Sequence, residues 1–304
     1  MIRVSCEPLV TIGVPFLNPG QWFVDAIKSI FAQTHTNWEL IMVDDGSTDG
    51  SLELARQISD PRVKVISDGR NVGLVYRLNQ IIDIANGDYI ARMDADDLMH
   101  PNRLERQVNV FRDNPQIDVV DTGAYILSRD GVPVGIRRRR TDSQQGPDPV
   151  RALKHGIVLH PAVMARRDWY RVNKYDPAYP RAEDRELFVR TFRDTGFYQI
   201  PDPLFFYRYV GNVRIRAFLE SYRSERKVLR RYGPKLIGRL RTAGLHFRSV
   251  AKSIAVPLLV GIGRQDIVTR SAYHSITHEQ HISANEIIAY IRKQRVAGWD
   301  SIGE

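Results

Sequence analysis

A single cysteine, Cys6, stands in 304 residues, and one thiol cannot build an intrachain disulfide framework. The chain must hold together through its core, and a reducing, cytoplasmic setting suits it. Long hydrophobic runs are missing as well. Ile254 to Ile262 is apolar but short and contains Pro257, whereas a bilayer-spanning helix needs about 20 apolar residues. The N-terminus lacks the basic, apolar and small-residue order of an export signal, so export is not expected. No repeat of fixed period is visible. Acids are scarce in one region: Gly211 to Lys252 holds twelve Lys or Arg against two Glu. That local excess of +10 accounts for the net charge of +9 and leaves the remainder at −1. Bulk basicity would by itself suggest nucleic-acid binding. The cations are segregated from the motifs below, however, and no recognised nucleic-acid module accompanies them, so that partner is not expected.

What is present is a globular composition, 43% hydrophobic and 26% charged, in a chain long enough for a sizeable core. Its first 120 or so residues alternate two periodicities. Leu9–Phe16, Glu39–Asp45, Val63–Ser67 and Tyr89–Asp94 read as strands. Helical spacing follows at Phe23 to Phe31, Ser51 to Ile58, Val75 to Ala85 and Pro101 to Asn114. Such alternation predicts a mostly parallel central sheet with helices on both faces, an α/β fold whose ligands bind beyond the carboxyl ends of the strands. Residues 119 to 140 read as a hairpin around Ser128-Arg-Asp-Gly131, and Asp142 to Pro149 as a loop. Beyond Gly211 the pattern is helical and basic.

Three polar clusters fall at strand ends: Pro15 to Asn18, Asp44-Asp45-Gly46-Ser47, and Asp94-Ala95-Asp96-Asp97. Unpaired acids at the end of a buried strand repel one another and lose solvation. Oxygen-only donors suit Mg²⁺ or Mn²⁺, which keep positions open for substrate phosphates. The acid-rich segment therefore reads either as a metal–diphosphate site or as an acidic loop. Val43 to Gly50 reads either as a nucleotide contact or as a helix-capping turn.

Taken in order, Thr11-Ile-Gly-Val-Pro-Phe-Leu-Asn18, Ser29-Ile-Phe-Ala-Gln-Thr34, Val43-Asp-Asp-Gly-Ser-Thr-Asp-Gly50, Asn71-Val-Gly73 and Leu78-Asn79 resemble family 2 glycosyltransferases. So do Ala85 to Asp97, Pro101-Asn-Arg-Leu-Glu-Arg-Gln107, His160-Pro-Ala-Val-Met164 and Ala182-Glu-Asp184. The resemblance covers about residues 8 to 209. It implies a GT-A fold and transfer with inversion, hexosyltransferase in type, from a nucleotide-sugar, with a UDP-sugar favoured, to a saccharide or lipid-linked acceptor. Pro15, Phe16, Asn18, Asp45, Asn71, Gly73, Arg77, Asp94 and Ala95 would bind the nucleotide-sugar. Asp96, with Asp94, would hold Mn²⁺ or Mg²⁺; Asp184 would be the base and Glu183 its support. Glu183 and Asp184 also suit a helix N-terminus, where acids are favourable. By the same resemblance residues 1–210 form the catalytic domain, with a nucleotide-sugar half at about 8–120 and an acceptor half at about 121–210. Residues 211–304 form a basic helical extension. Cell-surface polysaccharide or glycan synthesis is the implied setting.

The sequence departs from the family pattern at Arg77, Asp121 and Arg185, and Tyr207-Arg-Tyr209 lacks the family's usual histidine. No Gln-x-x-Arg-Trp is present, which favours non-processive transfer. A catalytically inactive nucleotide-sugar binder is the alternative, and the intact Asp45, Asp94, Asp96 and Asp184 speak against it. Phe218 to Leu240, apolar residues among arginines, read as helices lying on an anionic membrane surface through 211–252 or packing on the catalytic domain. Location is expected to be cytoplasmic, with peripheral attachment to the inner membrane face. Arg137 to Arg140 reads as a solvated loop edge or a contact for an anionic acceptor or lipid. His274, His278 and His281 share a helical face and read as packed histidines or a zinc site, and Trp22 and Trp169 as packing residues.

Overall fold

A computed structural model describes residues 7–137, 148–208, 215–262 and 273–299. Cys6, Arg138 to Arg140, the start of the 142–149 loop and Tyr209 lie outside them. The first half follows the periodicity closely. Strands β1 (Val10–Phe16), β2 (Trp38–Asp44), β3 (Val63–Ile66) and β4 (Tyr89–Arg92) pair in parallel in the order β3-β2-β1-β4. Between them run α1 (Phe23–Phe31), α2 (Ser51–Arg56) and α3 (Leu74–Ile84), and α4 (Arg103–Asp113) follows.

Successive strand side chains point to opposite faces, and here both faces are covered. Leu40 and Met42 join Phe23, Ile27, Ile30, Leu104 and Phe111 in one core; Ile41 and Val43 join Leu78, Ile81 and Ile82 in another.

Beyond β4 the sheet is mixed. β5 (Leu98–Met99), β6 (Val119–Leu127), β7 (Pro133–Arg137), β8 (Met164–Arg166) and β9 (Phe197–Arg208) extend it in the order β4-β8-β6-β9-β5, with β7 hydrogen-bonded to β6 as the expected hairpin. β8 runs antiparallel to β4, with Ala91 opposite Met164. The residues just before β8 therefore arrive at the carboxyl end of β4. β9 runs parallel to β6 and delivers its own carboxyl end, Tyr207-Arg208, to the same rim.

The helices α5 (Pro149–His155), α6 (Arg167–Val172) and α7 (Glu183–Arg190) precede two long helices, α8 (Ile215–Ile237) and α9 (Arg239–Gly261). α8 packs against α5 and α7: Val228 and Leu229 are buried with Leu153, Tyr179 and Val189. The last helix, His278–Arg292, buries Ala284, Ile288 and Ile291 against Ala32, Tyr125 and Phe206. His281 spends its Nδ1 on the Pro133 carbonyl, and His274 pairs by backbone with Ile136. The three histidines do not form a metal-capable group among the described residues. Trp169 stacks on Phe188 and donates to Thr195, a packing role.

Candidate active site

The sheet topology gathers the site. In the parallel register Phe16 lies opposite Asp44 and Gly13 opposite Arg92, so β1, β2 and β4 end on one rim. There a cleft of about 880 Å³ opens. Pro15, Phe16, Asp45, Asn71, Gly73 and Arg77 line one side of it; Arg92, Asp94, His160, Glu183 and Asp184 line the other. Asn18, Ala95 and Asp96 are not in that lining. Asn18 has φ of 49°, a left-handed conformation that Asn tolerates, and its amide oxygen accepts from the Thr48 N–H.

Asp45 organises the loop before α3. Its carboxylate accepts from the Val72 and Gly73 N–H groups and from Arg77 Nε at 3.0 Å. Gly73, with φ of 93°, takes a conformation that a side chain would strain. Arg77 is wholly buried, and its remaining donors go to Asp68, Gln80 and the Arg70 carbonyl. Its N–H groups therefore tie residues 68 to 73 to Asp45.

The acidic segment is pinned from two sides. Arg92 Nη2 donates to Asp94 Oδ1 at 2.7 Å. The Arg208 N–H donates to Asp97 Oδ1 at 2.7 Å, and Arg208 Nε to the Asp96 carbonyl. Burial, reinforced by Asp94, raises the pKa of Asp96; burial with Asp94 and Asp96 raises that of Asp97 well above a normal carboxyl. Asp97 Oδ2 is buried without a partner. Crowded oxygen donors with raised pKa values fit a hard divalent cation, which needs one or two carboxylates beside phosphate oxygens. Among the described residues, the group of three that could by itself surround an ion is different: His160, Glu183 and Asp184, each offering an atom within 4.8 Å of the others.

Glu183 and Asp184 open α7, as acids at a helix N-terminus, and they also line the cleft. Burial, then repulsion from Asp184, pushes the Glu183 pKa up to about 7. His160 lies with Nδ1 3.8 Å from Glu183 and Nε2 2.8 Å from the Tyr175 hydroxyl. Burial, then the field of Arg92, holds its pKa well below the normal histidine value, so the ring is neutral. Arg92 is the fixed cation of the cleft floor. Burial opposes its charge, but Asp94, Tyr175, Glu183 and Asp184 outweigh that and raise its pKa. Its Nε and Nη1 have no protein partner.

Residues 11–172 match the sequence profile of Glycosyl transferase family 2. The chain belongs to that family. A Bacillus subtilis (strain 168) protein bearing the name glycosyltransferase EpsE is 34% identical over 210 residues, covering 66% of this chain and 73% of its own. A second from that strain, TuaG, named for teichuronic acid biosynthesis, is 30% identical over 164 residues, covering 53% and 64%. Among solved structures, S. aureus TarS 1–349 superposes with a TM-score of 0.61 at 16% identity, over 94% of this chain and 81% of that one. It has also been seen with UDP. The mannosyltransferase PcManGT from Pyrobaculum calidifontis, with GDP-Man and Mn²⁺, gives 0.56 at 14% identity, over 94% and 86%. The architecture is that of the GT-A glycosyltransferases.

For this glycosyltransferase, reading the sequence by motif left three cleft contributors unassigned. His160 and Arg92 sit inside quoted motifs, so a buried strand carrying Arg92 straight into acids was the available signal. The third is α8, whose Phe218, Ser221, Tyr222 and Glu225 line the cleft; no local pattern announces that. The departures have local explanations. Asp121 Oδ2 accepts from the Leu159 N–H at 2.7 Å, fixing the residue before His160. Arg185 lies 3.2 Å from Glu225, tying α7 to α8. Arg137 lines the cleft. Within Pro101–Gln107, Arg103 and Gln107 bind the carbonyls of Arg92, Val163, Val120 and Ala162, stapling β4, β6 and the His160 turn together.

Proposed function

We propose that this glycosyltransferase is an inverting, non-processive enzyme that moves a hexosyl group from a nucleoside diphosphate sugar to a saccharide or lipid-linked acceptor. The observation that carries the reading is that Asp184 and Asp94, far apart in the sequence, line one cleft and both act on the charge of Arg92. The nucleotide lies along Pro15, Phe16, Asp45, Asn71 and Gly73, with Asn18, Arg77 and Ala95 supporting that wall. Asp184 accepts the acceptor hydroxyl proton. The freed oxygen attacks the anomeric carbon as its bond to the diphosphate breaks, and that electron pair leaves on the diphosphate. Arg92 brings a fixed positive charge to the side where the anion forms. Glu183 and neutral His160 stand beside Asp184, each with an atom within 4.8 Å of its carboxylate. Asp94 and Asp96 would hold Mn²⁺ or Mg²⁺, which as a Lewis acid stabilises the leaving diphosphate.

A UDP-sugar is the favoured donor, since TarS, of the same fold, has been seen with UDP and with UDP-GlcNAc; PcManGT with GDP-Man keeps GDP-sugars in the comparison. The names EpsE and TuaG favour extracellular polysaccharide assembly. The mechanism is tested with Asp184→Asn. Turnover is expected to fall at least a thousandfold, within the range for a lost general base, while nucleotide affinity in a calorimetric titration stays within a few-fold. Turnover that survives the substitution removes Asp184 from the reaction.

A further inference from the structure

Among the described residues, α9 carries an apolar face that nothing covers. Thr242, Ser249 and Val256, seven residues apart, are its buried positions. Leu240, Phe247 and Ile254 repeat at the same spacing on another side, continued by Leu258 and Ile262, and these five are between 61% and 90% exposed. Seven residues are close to two helical turns, so each set forms a stripe. Isolated exposed apolar residues are ordinary, whereas five in a row along one helix mark a contact.

The charge beside that stripe is one-sided. The 23 residues of α9 include no acid. At 100° per residue, Arg241, Arg248 and Lys252 fall along one flank of the stripe and Arg239 on the other. Of the two acids of α8, Glu220 pairs with Arg181 and Arg216, and Glu225 pairs with Arg185 while its charge also reaches Lys252. An apolar hollow of about 420 Å³ lies against α8 and α9, lined by Pro234, Ala243, Phe247 and Val250, with the exposed Arg230 and Arg239 also bordering it.

We propose that this face of α9 docks on an anionic lipid bilayer, its apolar side chains entering the boundary between headgroups and acyl chains and its flanking cations meeting the phosphates. Two observations select this occupant. A second copy of the helix would bring rows of cations together with no acid to answer them. No described helix is long and apolar enough to cross a membrane, and the open stripe runs along the side of α9, the geometry of a helix lying flat on a surface. The sequence reading placed such a surface on 211–252. In the folded chain the α8 residues Val228 and Leu229 turn inward, and the free face runs from 240 to 262.

Vesicle flotation with the whole protein tests this. Binding is expected to vesicles of mixed phosphatidylcholine and phosphatidylglycerol, to weaken in high salt, and to be slight with phosphatidylcholine alone. Replacing Arg241, Arg248 and Lys252 together by Gln should lower the partition coefficient on the order of a hundredfold. Phe247→Asp should lower it about tenfold or more. Phe247, Arg241 and Lys252 are exposed and Arg248 is half-buried, so an unaltered thermal unfolding midpoint in each variant separates lost docking from lost fold. If wild-type protein ignores anionic vesicles, if either variant binds them as well as wild type, or if Phe247→Asp instead dissociates a dimer, the proposal is overturned.

Discussion

Glu183 occupies the first position of α7, where burial and Asp184 hold its pKa at about 7 against an ordinary 4.5. Between those values the folded chain keeps a proton that the unfolded chain has lost. Stability therefore falls as pH rises from 4.5 to about 7 and is unaffected by this group above that. Denaturant titrations at the two ends of the window should show a Glu183 contribution on the order of 3 kcal/mol. Glu183→Gln, with no proton to lose, should flatten the profile by that amount; an identical slope in wild type and variant would exclude the raised pKa. Arg77 shows the limit of residue-scale reading. The resemblance put it among the nucleotide-sugar residues, and in the fold its donors meet Asp45, Asp68, Gln80 and the Arg70 carbonyl. Which acceptors a guanidinium finds depends on how the loop folds back over it, and that is invisible in the order of residues.

Elements were legible where the chain alternates cleanly. β1 to β4 and α1 to α4 fall within a few residues of their expected spans, because buried parallel strands and amphipathic helices leave distinct apolar periods. β9 was not delineated: Pro201 and Pro203 interrupt its pattern, and register shifts against Gly123 accommodate them. The helical extension was legible as helix but not in its partner. Leu229, 1% exposed against Leu153, Tyr179 and Val189, makes α8 part of the catalytic core. Leu229→Ala should cost about 2–5 kcal/mol and lower the main unfolding transition of the whole protein. A change confined to a separate, minor transition would show that α8 folds independently.

At the scale of the whole molecule, the cleft takes its walls from β1, β4, α7 and α8, so an occupant binds the folded chain and not the unfolded one. A nucleotide-sugar present at a hundred times its dissociation constant should stabilise the fold by about 2.7 kcal/mol. A thermal-shift series with UDP-, dTDP- and GDP-sugars, each with and without Mn²⁺, is expected to raise the midpoint most for one nucleotide, UDP on the reading above. The increment from Mn²⁺ should disappear in Asp94→Asn. A Mn²⁺ increment that persists in that variant would move the cation away from Asp94, toward the His160, Glu183 and Asp184 group.

The sequence by itself determined the alternating α/β plan, the rim on which Asp45 and Asp94 fall, and, through motifs in a fixed order, the family. These follow from local periodicity and from spacing along the chain. Tertiary structure alone decided that antiparallel β8 brings His160 to the end of β4, that α8 closes the cleft, and that α9 keeps its apolar stripe in the open. Each of those depends on contacts between segments far apart in the chain, and the residues of one helix do not record which face another segment will cover.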